Sequence, residues 1–295
     1  MAVSPASAPR KALTPPAIRA RKARDGADRL VMLTAYDAPG ARIADEAGVD
    51  MILVGDSLAM VVLGYDDTLQ VTTADMAHHV GAVARAKPRP LIVGDMPWMS
   101  YHVSLEDTVR NAAELVKAGA ASVKLEGGAK RVPAIEAIID AEIPVMGHLG
   151  LTPQSVNAMG GYKVQGREQS AALELIEDAK RLEAAGCFAI VLEGVPDEVA
   201  RMVTDAIDIP TIGIGAGPHC DGQVLVFHDV LGIEDRITPK FVRRYADLKG
   251  EAVGAIAAFA DDVRTGRFPA HEESYHLNAA QAEALGLYGS DAKTA

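Results

Sequence analysis

The chain has 295 residues, of which 49% are hydrophobic and 23% charged, so it can bury a sizeable core in one large α/β domain or in two smaller ones. Its 29 Lys and Arg residues are outnumbered by 40 Asp and Glu residues, and the formal charge of −11 argues against nucleic-acid binding. No apolar run is long enough to span a membrane, and two cysteines are too few for a disulfide framework, so we expect a cytoplasmic protein.

The start of the chain is basic and contains no acidic residue up to Arg24. We expect residues 1–13 to form a disordered tail, followed by Thr14 as the N-cap of a short helix with Pro15 and Pro16 in its first turn. The alternative for such an acid-poor start, which contains Arg and Ser, is an organelle transit peptide.

From residue 30 onward, short apolar runs alternate with amphipathic stretches of about ten to twenty residues, a pattern typical of βα units. The eight predicted strands span residues 30–36, 51–55, 91–94, 122–125, 145–148, 188–192, 211–214 and 224–227. Eight such units fit a TIM (β/α)8 barrel better than a doubly wound sheet. We therefore expect residues 14–269 to form a single catalytic barrel domain with an extra N-terminal helix.

Helix boundaries are also recognisable in the sequence. Thr72 and Ser104 stand before amphipathic stretches in the position of N-caps, and repeated Ala-Gly pairs, such as the one at 47–48, stand where helices should end. We expect the last helix over roughly 240–267, closing the barrel or packing in an oligomer. The polar extension over residues 270–295 is expected to be partly mobile.

Five of the predicted strands end in a residue that can bind a metal or move a proton. Parallel strands in α/β proteins are covered on both faces, so a charged residue belongs only where the strand leaves the core. Such residues should therefore share one rim, the C-terminal end of the barrel, where barrel enzymes have their active sites. These rim residues are Asp56, Ser57, Asp95, Lys124, Glu126, His148 and Glu193.

Two of the rim residues are aspartates on adjacent predicted strands. Asp56 and Asp95 could share one hard cation, and this favours Mg²⁺ over zinc, because Mg²⁺ binds a few carboxylate oxygens and keeps open positions for substrate oxygens. The alternative is that an aspartate caps the helix that follows it. Ser57 adds a hydroxyl that could hold a carboxylate or carbonyl oxygen.

Lys124 and Glu126 are two residues apart on one strand and should both face the barrel interior. The lysine could neutralise a substrate carboxylate or a developing enolate, and the glutamate could bind a metal directly or lie in its outer shell. A structural Lys-Glu pair is one alternative. A Schiff-base lysine is another, and the aspartate pair argues against it.

His148 and Glu193 end two further strands. His148 could donate a hydrogen bond to a substrate, or it could be a structural histidine. Thr152 and Pro153 follow as a predicted N-cap with proline in the first helical position. Glu193 follows an apolar run, so partial burial could make it a general base, and helix capping or ion pairing is the alternative.

Two other segments are candidate sites. The glycine-rich segment 213–222, GIGAGPHCDG, follows the seventh strand and is interpreted as a tight turn or a close approach to a substrate, with a phosphate cradle as the alternative. The pair His78 and His79 lies within a predicted helix, where only one of the two can face the core, and is interpreted as structural.

Several long motifs together resemble one family, ketopantoate hydroxymethyltransferase. They are TAYDAPGARIADEAGVDMILVGDSLAMVVLGYDDTLQVT, GDMPWMSY, AGAASVKLEGG, PVMGHLGLTPQSVNAMGGYKVQGR, VLEGVP and IPTIGIGAGPHCDGQVLVFHDVLG. The resemblance covers roughly residues 14–269, and HLGLTPQSV with GGYKVQGR is far more specific than any single aspartate at a strand end. One departure is Ala59, where the family pattern leads us to expect glycine; the added methyl group removes no chemical group.

The resemblance implies a TIM barrel of the phosphoenolpyruvate/pyruvate type, one Mg²⁺ per subunit and a homodecamer. It also implies transfer of a hydroxymethyl group from 5,10-methylenetetrahydrofolate to 3-methyl-2-oxobutanoate. The product would be 2-dehydropantoate, for pantothenate and coenzyme A synthesis.

The family motifs also imply roles for the rim residues. Asp56 and Asp95 resemble the metal ligands, with Glu126 close to the metal. Ser57, Asp95, Lys124 and His148 resemble substrate contacts, with Asp56 also in the substrate shell. Glu193 resembles the catalytic base.

Two competing interpretations remain. Other Mg²⁺-dependent barrels act on keto acids or phosphoenolpyruvate, as C–C lyases or phosphonomutases do, but they usually rely on a cysteine in a mobile loop. Neither Cys187 nor Cys220 has such a context. The other interpretation is a catalytically silent barrel whose charged rim residues only pair with one another.

Overall fold

The computed structural model describes residues 12–23, 28–236 and 239–286. The chain divides into two compact units, the first ending at Ala246 and the second beginning at Asp247. Most of the predicted tail at 1–13, and residues 287–295 of the predicted extension, lie outside the described residues. The predicted domain boundaries therefore stay predictions.

The first unit contains a closed barrel of eight parallel strands in sequential order, which confirms the predicted fold class. The strands are β1 Leu30–Thr34, β2 Met51–Val54, β3 Leu91–Asp95, β4 Ser122–Glu126, β5 Val145–Gly150, β6 Ala189–Glu193, β7 Thr211–Ile214 and β8 Gly222–Leu225. Each overlaps its predicted segment, with ends that differ by up to two residues. All eight strands contain buried side chains, as expected for strands covered on both faces.

Helices of different lengths surround the strands. They are α1 Pro15–Arg19, α2 Ala38–Ala47, α3 Leu58–Val61, α4 Thr73–Arg85, α5 Leu105–Ala118, α6 Val132–Asp140, α7 Val156–Met159, α8 Gln169–Ala184, α9 Asp197–Ala206 and α10 Phe227–Val230. Short 3₁₀ helices cover Ala129–Arg131 and Pro153–Ser155. Thr152 is the N-cap residue of the latter, but its side chain makes no capping hydrogen bond.

The predicted helix caps of α4 and α5 are present. Thr72 Oγ1 accepts a hydrogen bond from Asp75 N–H at 3.2 Å while the Asp75 carboxylate accepts one from Thr72 N–H, so the two residues form a capping box. Ser104 Oγ accepts from Asp107 N–H at 3.1 Å. At the other end of a helix, Gly48 stops α2 with a left-handed backbone, φ +82°, as predicted for the Ala-Gly pairs.

Helix α1 begins at its predicted proline. It covers the end of the barrel at which the strands begin. Ala17 N–H donates to Thr14 Oγ1, and Ile18 is buried with apolar side chains of the barrel interior. The helix ends at Arg19, and beyond it Arg21 pairs with Asp50. The basic residues of this segment therefore anchor it to the barrel.

One connection lacks the helix of a regular βα unit. Residues 215–221 join β7 directly to β8. They are few and include glycines and a proline, and the turn is anchored by Asp221 Oδ2, which accepts from Thr211 N–H at 2.7 Å and lies 3.0 Å from Lys22 Nζ. At Gly217, with φ +73°, a Cβ would fall 2.2 Å from Asp197 Cβ. The glycine-rich segment therefore forms a tight connection with close backbone approach.

The second unit contains α11 Leu248–Thr265, a 3₁₀ turn at His271–Glu273 and α12 Ala279–Ala284. The last long helix starts later than the predicted residue 240, because Asp247 forms its N-cap and accepts from Gly250 N–H at 3.2 Å. None of the residues of α11, all of which are described, is buried. Across the described residues, no helix is both long and apolar enough to cross a membrane.

Candidate active site

Strand alternation places the charged rim residues above an apolar floor. Along β5, Met146 belongs to the apolar cluster inside the barrel, and His148 faces the same way two residues later. Along β6, Val191 belongs to that cluster and Glu193 follows two residues later. The barrel interior is therefore apolar toward the N-terminal ends of the strands and charged toward their C-terminal ends.

Lys124 pairs with a carboxylate of the neighbouring strand. Its Nζ lies 2.7 Å from Asp95 Oδ1, and the two residues are register partners between β3 and β4. Glu126 instead accepts a hydrogen bond from Gln154 N–H at 3.0 Å and lies beside His148. Neighbouring strands are ~4.8 Å apart, whereas residues two apart on one strand are ~6.6 Å apart. This explains why the lysine pairs across strands and not with Glu126, the partner in the structural alternative.

Asp56 lies just beyond β2 and is fixed by two hydrogen bonds. Its N–H donates to Asp95 Oδ2 at 3.2 Å, and its own Oδ2 accepts from Gln154 Nε2 at 2.9 Å. The N-cap positions of the following helices, α3 and α5, are occupied by Ser57 and Ser104. The capping alternative for the two aspartates is therefore not what the structure has.

The buried charges of this site perturb one another. Burial raises the pKa of Asp56 well above its usual range, and the charges of Asp95 and Glu126 raise it further. Burial also raises the pKa of Asp95, against the opposing effect of Lys124. Burial by itself would lower the pKa of the Lys124 ammonium, but Asp95, Glu126 and Asp56 outweigh burial and raise it. The lysine therefore stays charged and is shared by several carboxyl groups.

His148 bridges two glutamates from the strands on either side of its own. Its Nδ1 lies 3.4 Å from Glu126 Oε1, and its Nε2 lies 3.3 Å from Glu193 Oε2. These are ion-pair distances, longer than a well-formed N–H···O hydrogen bond of ~2.9 Å. Burial and the charge of Lys124 oppose protonation, but the two glutamates outweigh them and raise the pKa of His148 to about 9. Glu193 is the more open of the two glutamates, with 17% of its side chain exposed against 2% for Glu126.

Ser57 is set apart from the other six rim residues. Within the described part of the chain it makes no hydrogen bond or ion pair to any of them, and its Oγ lies 2.9 Å from Tyr36 Oη. Ala59, at the position where the family pattern suggests glycine, is fully buried in α3. The structure therefore brings six predicted residues into one network and leaves the serine at its edge.

Two residues of the network, Gln154 and Tyr101, are not predicted from the sequence. Gln154 hydrogen bonds to both Asp56 and Glu126, and Tyr101 donates to Gln154 Oε1 at 2.6 Å. Gln154 follows a Thr-Pro pair just after a predicted strand, so the sequence predicts its position near the rim. The sequence gives no sign that its amide turns inward, because that depends on tertiary packing.

The chemistry of the donors fits a hard cation. Asp56 and Asp95 are buried, lie on adjacent strands and are bridged by one hydrogen bond, and Glu126 lies close enough to perturb both. Oxygen donors of this type suit Mg²⁺, and an added positive charge would relieve their mutual repulsion. Within residues 12–23, 28–236 and 239–286, no group of three or more His, Cys, Asp and Glu side chains is already arranged as a metal site. The fit therefore rests on the aspartate pair, with open positions left for other oxygens.

Comparison with known proteins identifies close relatives. The family model described as ketopantoate hydroxymethyltransferase matches residues 13–271. A 3-methyl-2-oxobutanoate hydroxymethyltransferase from Methylobacterium sp. (strain 4-46) is 61% identical over 257 residues, which is 87% of this chain and 89% of the relative. The enzyme of the same name from Oleidesulfovibrio alaskensis (strain ATCC BAA-1058 / DSM 17464 / G20) is 56% identical over 268 residues, covering 90% of this chain and 92% of the relative.

Solved structures with little sequence similarity share the fold. Phosphonopyruvate hydrolase, solved with oxalate and Mg²⁺, has a TM-score of 0.58 at 16% identity and covers 93% of this chain and 95% of its own. 2,3-Dimethylmalate lyase, a member of the PEP mutase/isocitrate lyase superfamily, has a TM-score of 0.52 at 18% identity, with 88% and 90% covered. These likenesses support the barrel architecture alone.

Proposed function

The chain belongs to the ketopantoate hydroxymethyltransferase family, and we infer that it catalyses the reaction for which its relatives are named, the hydroxymethylation of 3-methyl-2-oxobutanoate. The observation that supports this most directly is the joining of six charged rim residues in one buried network at the C-terminal end of the barrel. Such a network combines carboxylates for a cation, a lysine for developing negative charge and a more open glutamate for proton transfer.

We propose 5,10-methylenetetrahydrofolate as the donor of the one-carbon unit and 2-dehydropantoate as the product, on the path to pantothenate and coenzyme A. Asp56 and Asp95 would hold one Mg²⁺ per subunit, with Glu126 beside it. When bound, the Mg²⁺ would act as a Lewis acid on the α-keto acid and make its C3 proton more acidic.

Glu193 is the proposed base that removes the C3 proton. It ends β6 and is more open than the other charged residues of the network, so its carboxylate can approach a substrate. His148, beside its Oε2, would orient the carboxylate and hold the substrate from the neighbouring strand. Proton removal leaves a nucleophilic carbon that attacks the folate-borne one-carbon unit.

Lys124 and Ser57 would act on the substrate's oxygens. The raised pKa of Lys124 keeps its ammonium charged inside the barrel, where it would stabilise negative charge that develops on the keto oxygen. Asp95 holds this ammonium in place, and the Ser57 hydroxyl would donate to a carboxylate or carbonyl oxygen from the edge of the network.

The test is exchange of the C3 proton of 3-methyl-2-oxobutanoate for deuterium, followed by NMR with and without Mg²⁺. The wild-type protein is expected to exchange it only with the metal and to form product when methylenetetrahydrofolate is added. Glu193→Gln should lower the exchange rate by about 100-fold or more while leaving Mg²⁺-dependent substrate binding intact. Normal exchange in that variant would remove Glu193 as the base, and exchange without product would favour a lyase.

We also propose a homo-oligomer, a decamer by family resemblance, in the cytoplasm. Helix α11 supports an oligomer, because it exposes Val253, Ile256 and Phe259 along its length. Cys187 and Cys220 are both free thiols, which fits a reducing compartment.

A further inference from the structure

Gln154 connects the C-terminal ends of four neighbouring strands, β2 to β5. It lies just after β5, is buried, and its Nε2 donates both to Asp56 Oδ2 at 2.9 Å and to Met96 O at 3.0 Å. Its Oε1 accepts from Tyr101 Oη–H at 2.6 Å, and its backbone N–H donates to Glu126 Oε2 at 3.0 Å. Every polar atom of the side chain is therefore engaged by a different part of the rim.

The direction of these hydrogen bonds is fixed. A backbone carbonyl can only accept, so the amide nitrogen has to face Met96 O. On the other side, Tyr101 Oη accepts from Glu126 N–H at 3.2 Å and uses its own proton for Gln154 Oε1. Turning the amide over would place Oε1 against two acceptors, Met96 O and Asp56 Oδ2, and would lose both hydrogen bonds there.

We propose that Gln154 is a positioning residue that fixes the Asp56 carboxylate for the cation. By binding Oδ2 it holds the carboxylate in one rotamer and leaves Oδ1, which has no hydrogen-bond partner in the described part of the chain, for the metal. Tyr101 acts one step further out by orienting the amide. This inference rests on the proposed Mg²⁺-dependent function, and groups that hold a ligand in this way commonly change metal affinity 10- to 100-fold.

The same contacts explain why the residue is a glutamine. An aliphatic side chain of similar length would fill the space but would leave the Tyr101 hydroxyl and one oxygen of Asp56 unsatisfied in a buried site. A glutamate would face Asp56 Oδ2 and Met96 O with oxygen atoms, which accept and do not donate. Only a side chain with one donor end and one acceptor end satisfies both neighbours.

The test compares Gln154→Met with Gln223→Met. Methionine keeps the length of the side chain and removes its hydrogen bonds, and Gln223 is an exposed residue of β8 whose amide donates to Gly217 O at 2.9 Å. Binding of Mn²⁺, used as a paramagnetic probe without substrate, is measured by electron paramagnetic resonance. We expect Gln154→Met to bind Mn²⁺ about 10- to 100-fold more weakly than wild type and Gln223→Met to bind it normally.

The C3 proton exchange gives a second measurement. In Gln154→Met the Mn²⁺ concentration for half-maximal exchange should rise by the same factor as the dissociation constant of Mn²⁺. The exchange rate at saturating Mn²⁺ should fall by a smaller factor. Tyr101→Phe, which keeps the glutamine, should weaken Mn²⁺ binding by a smaller factor, and the double variant should be no worse than Gln154→Met alone. Circular dichroism verifies folding, and Tyr101→Phe decides the question if Gln154→Met fails to fold.

Wild-type affinity for Mn²⁺ in a folded Gln154→Met protein would overturn the inference, as would independent, additive effects of the two substitutions. A wrong assignment of the function would give a different result from a wrong assignment of Gln154. In that case the wild-type protein itself would neither bind Mn²⁺ nor exchange the C3 proton.

Discussion

His148 Nε2 lies 3.3 Å from Glu193 Oε2, and the two residues lie on neighbouring strands of the barrel, β5 and β6. The histidine thus stands beside the proposed base while its other nitrogen faces Glu126. Glu126 and Glu193 raise the pKa of His148 to about 9 against burial and the charge of Lys124, whose Nζ lies 3.4 Å from His148 Nδ1. The two glutamates therefore favour the protonated ring.

The contact between His148 and Glu193 predicts that substitutions of the two residues have non-additive effects on the rate of C3 exchange. His148→Asn should slow C3 exchange by a smaller factor than Glu193→Gln, since it disturbs the orientation of the base without removing it. The double variant should be no slower than Glu193→Gln alone, because residues that act as a unit are not additive. Exchange rates measured by NMR at saturating Mg²⁺ test this, and additive losses would mean that the two side chains act separately.

Removal of the buried lysine should destabilise the protein. Lys124→Met would leave Asp95 without its partner, and loss of one member of a buried ion pair costs about 3–5 kcal/mol. Lys117→Met, at an exposed position on α5, is the matched control and should cost little. Urea unfolding at pH 8 measures the free energy of unfolding of both variants.

The same variant should regain stability on acidification. Asp56 and Asp95 have raised pKa values in the folded protein, so the folded state takes up protons before the unfolded state does as the pH falls. Loss of Lys124 removes an opposing charge and strengthens this trend. The difference in the free energy of unfolding between wild type and Lys124→Met should therefore be smaller at pH 5.5 than at pH 8. An unchanged difference would contradict the electrostatic explanation.

Asp229 on α10 offers a second test of pH-dependent stability. Burial and the charge of Glu234 raise the pKa of Asp229 to about 6, above the value of ~3.9 for an unfolded aspartate. Its ionised form therefore opposes folding above pH 6, and this effect fades as the pH falls through 6 toward 4. Asp229→Asn should raise the melting temperature relative to wild type at pH 8 and less at pH 5. Thermal unfolding followed by circular dichroism measures both differences, and equal differences would argue against the shifted pKa.

The two thiols should be inert in the native protein. Cys187 and Cys220 are buried, and burial raises the pKa of Cys187 to about 12, so little thiolate forms at pH 8. A colorimetric disulfide reagent should detect no thiol before denaturation and two per chain in guanidinium chloride. Rapid reaction of one thiol in the native protein would show that the barrel opens locally.

The rim of the barrel could be predicted because one physical rule determines it. A charged residue in an otherwise apolar parallel strand is tolerated only where the strand ends, so Asp95, Glu126 and Glu193 had to lie at the same end. The two-residue spacing of Lys124 and Glu126 predicted their common direction in the same way. These inferences needed only the periodicity of a strand.

Partners across strands could not be predicted in that way. Pairing of Lys124 with Asp95 depends on the register between β3 and β4, which a single strand does not encode. Gln154 lies in a single 3₁₀ turn and Tyr101 in a loop, where side-chain direction follows from packing and not from a repeat. The network therefore contains two residues whose participation only the folded chain reveals.

Ile18 has a consequence for the order of events at the rim. The barrel interior below the charged network is filled by apolar side chains, and Ile18 seals that end. Under the proposed function, both substrates would then enter from the rim, and the keto acid, placed at the buried network, would bind before the larger folate covers it. Initial-rate and dead-end inhibition measurements should accordingly give a compulsory-order mechanism with the folate product leaving first.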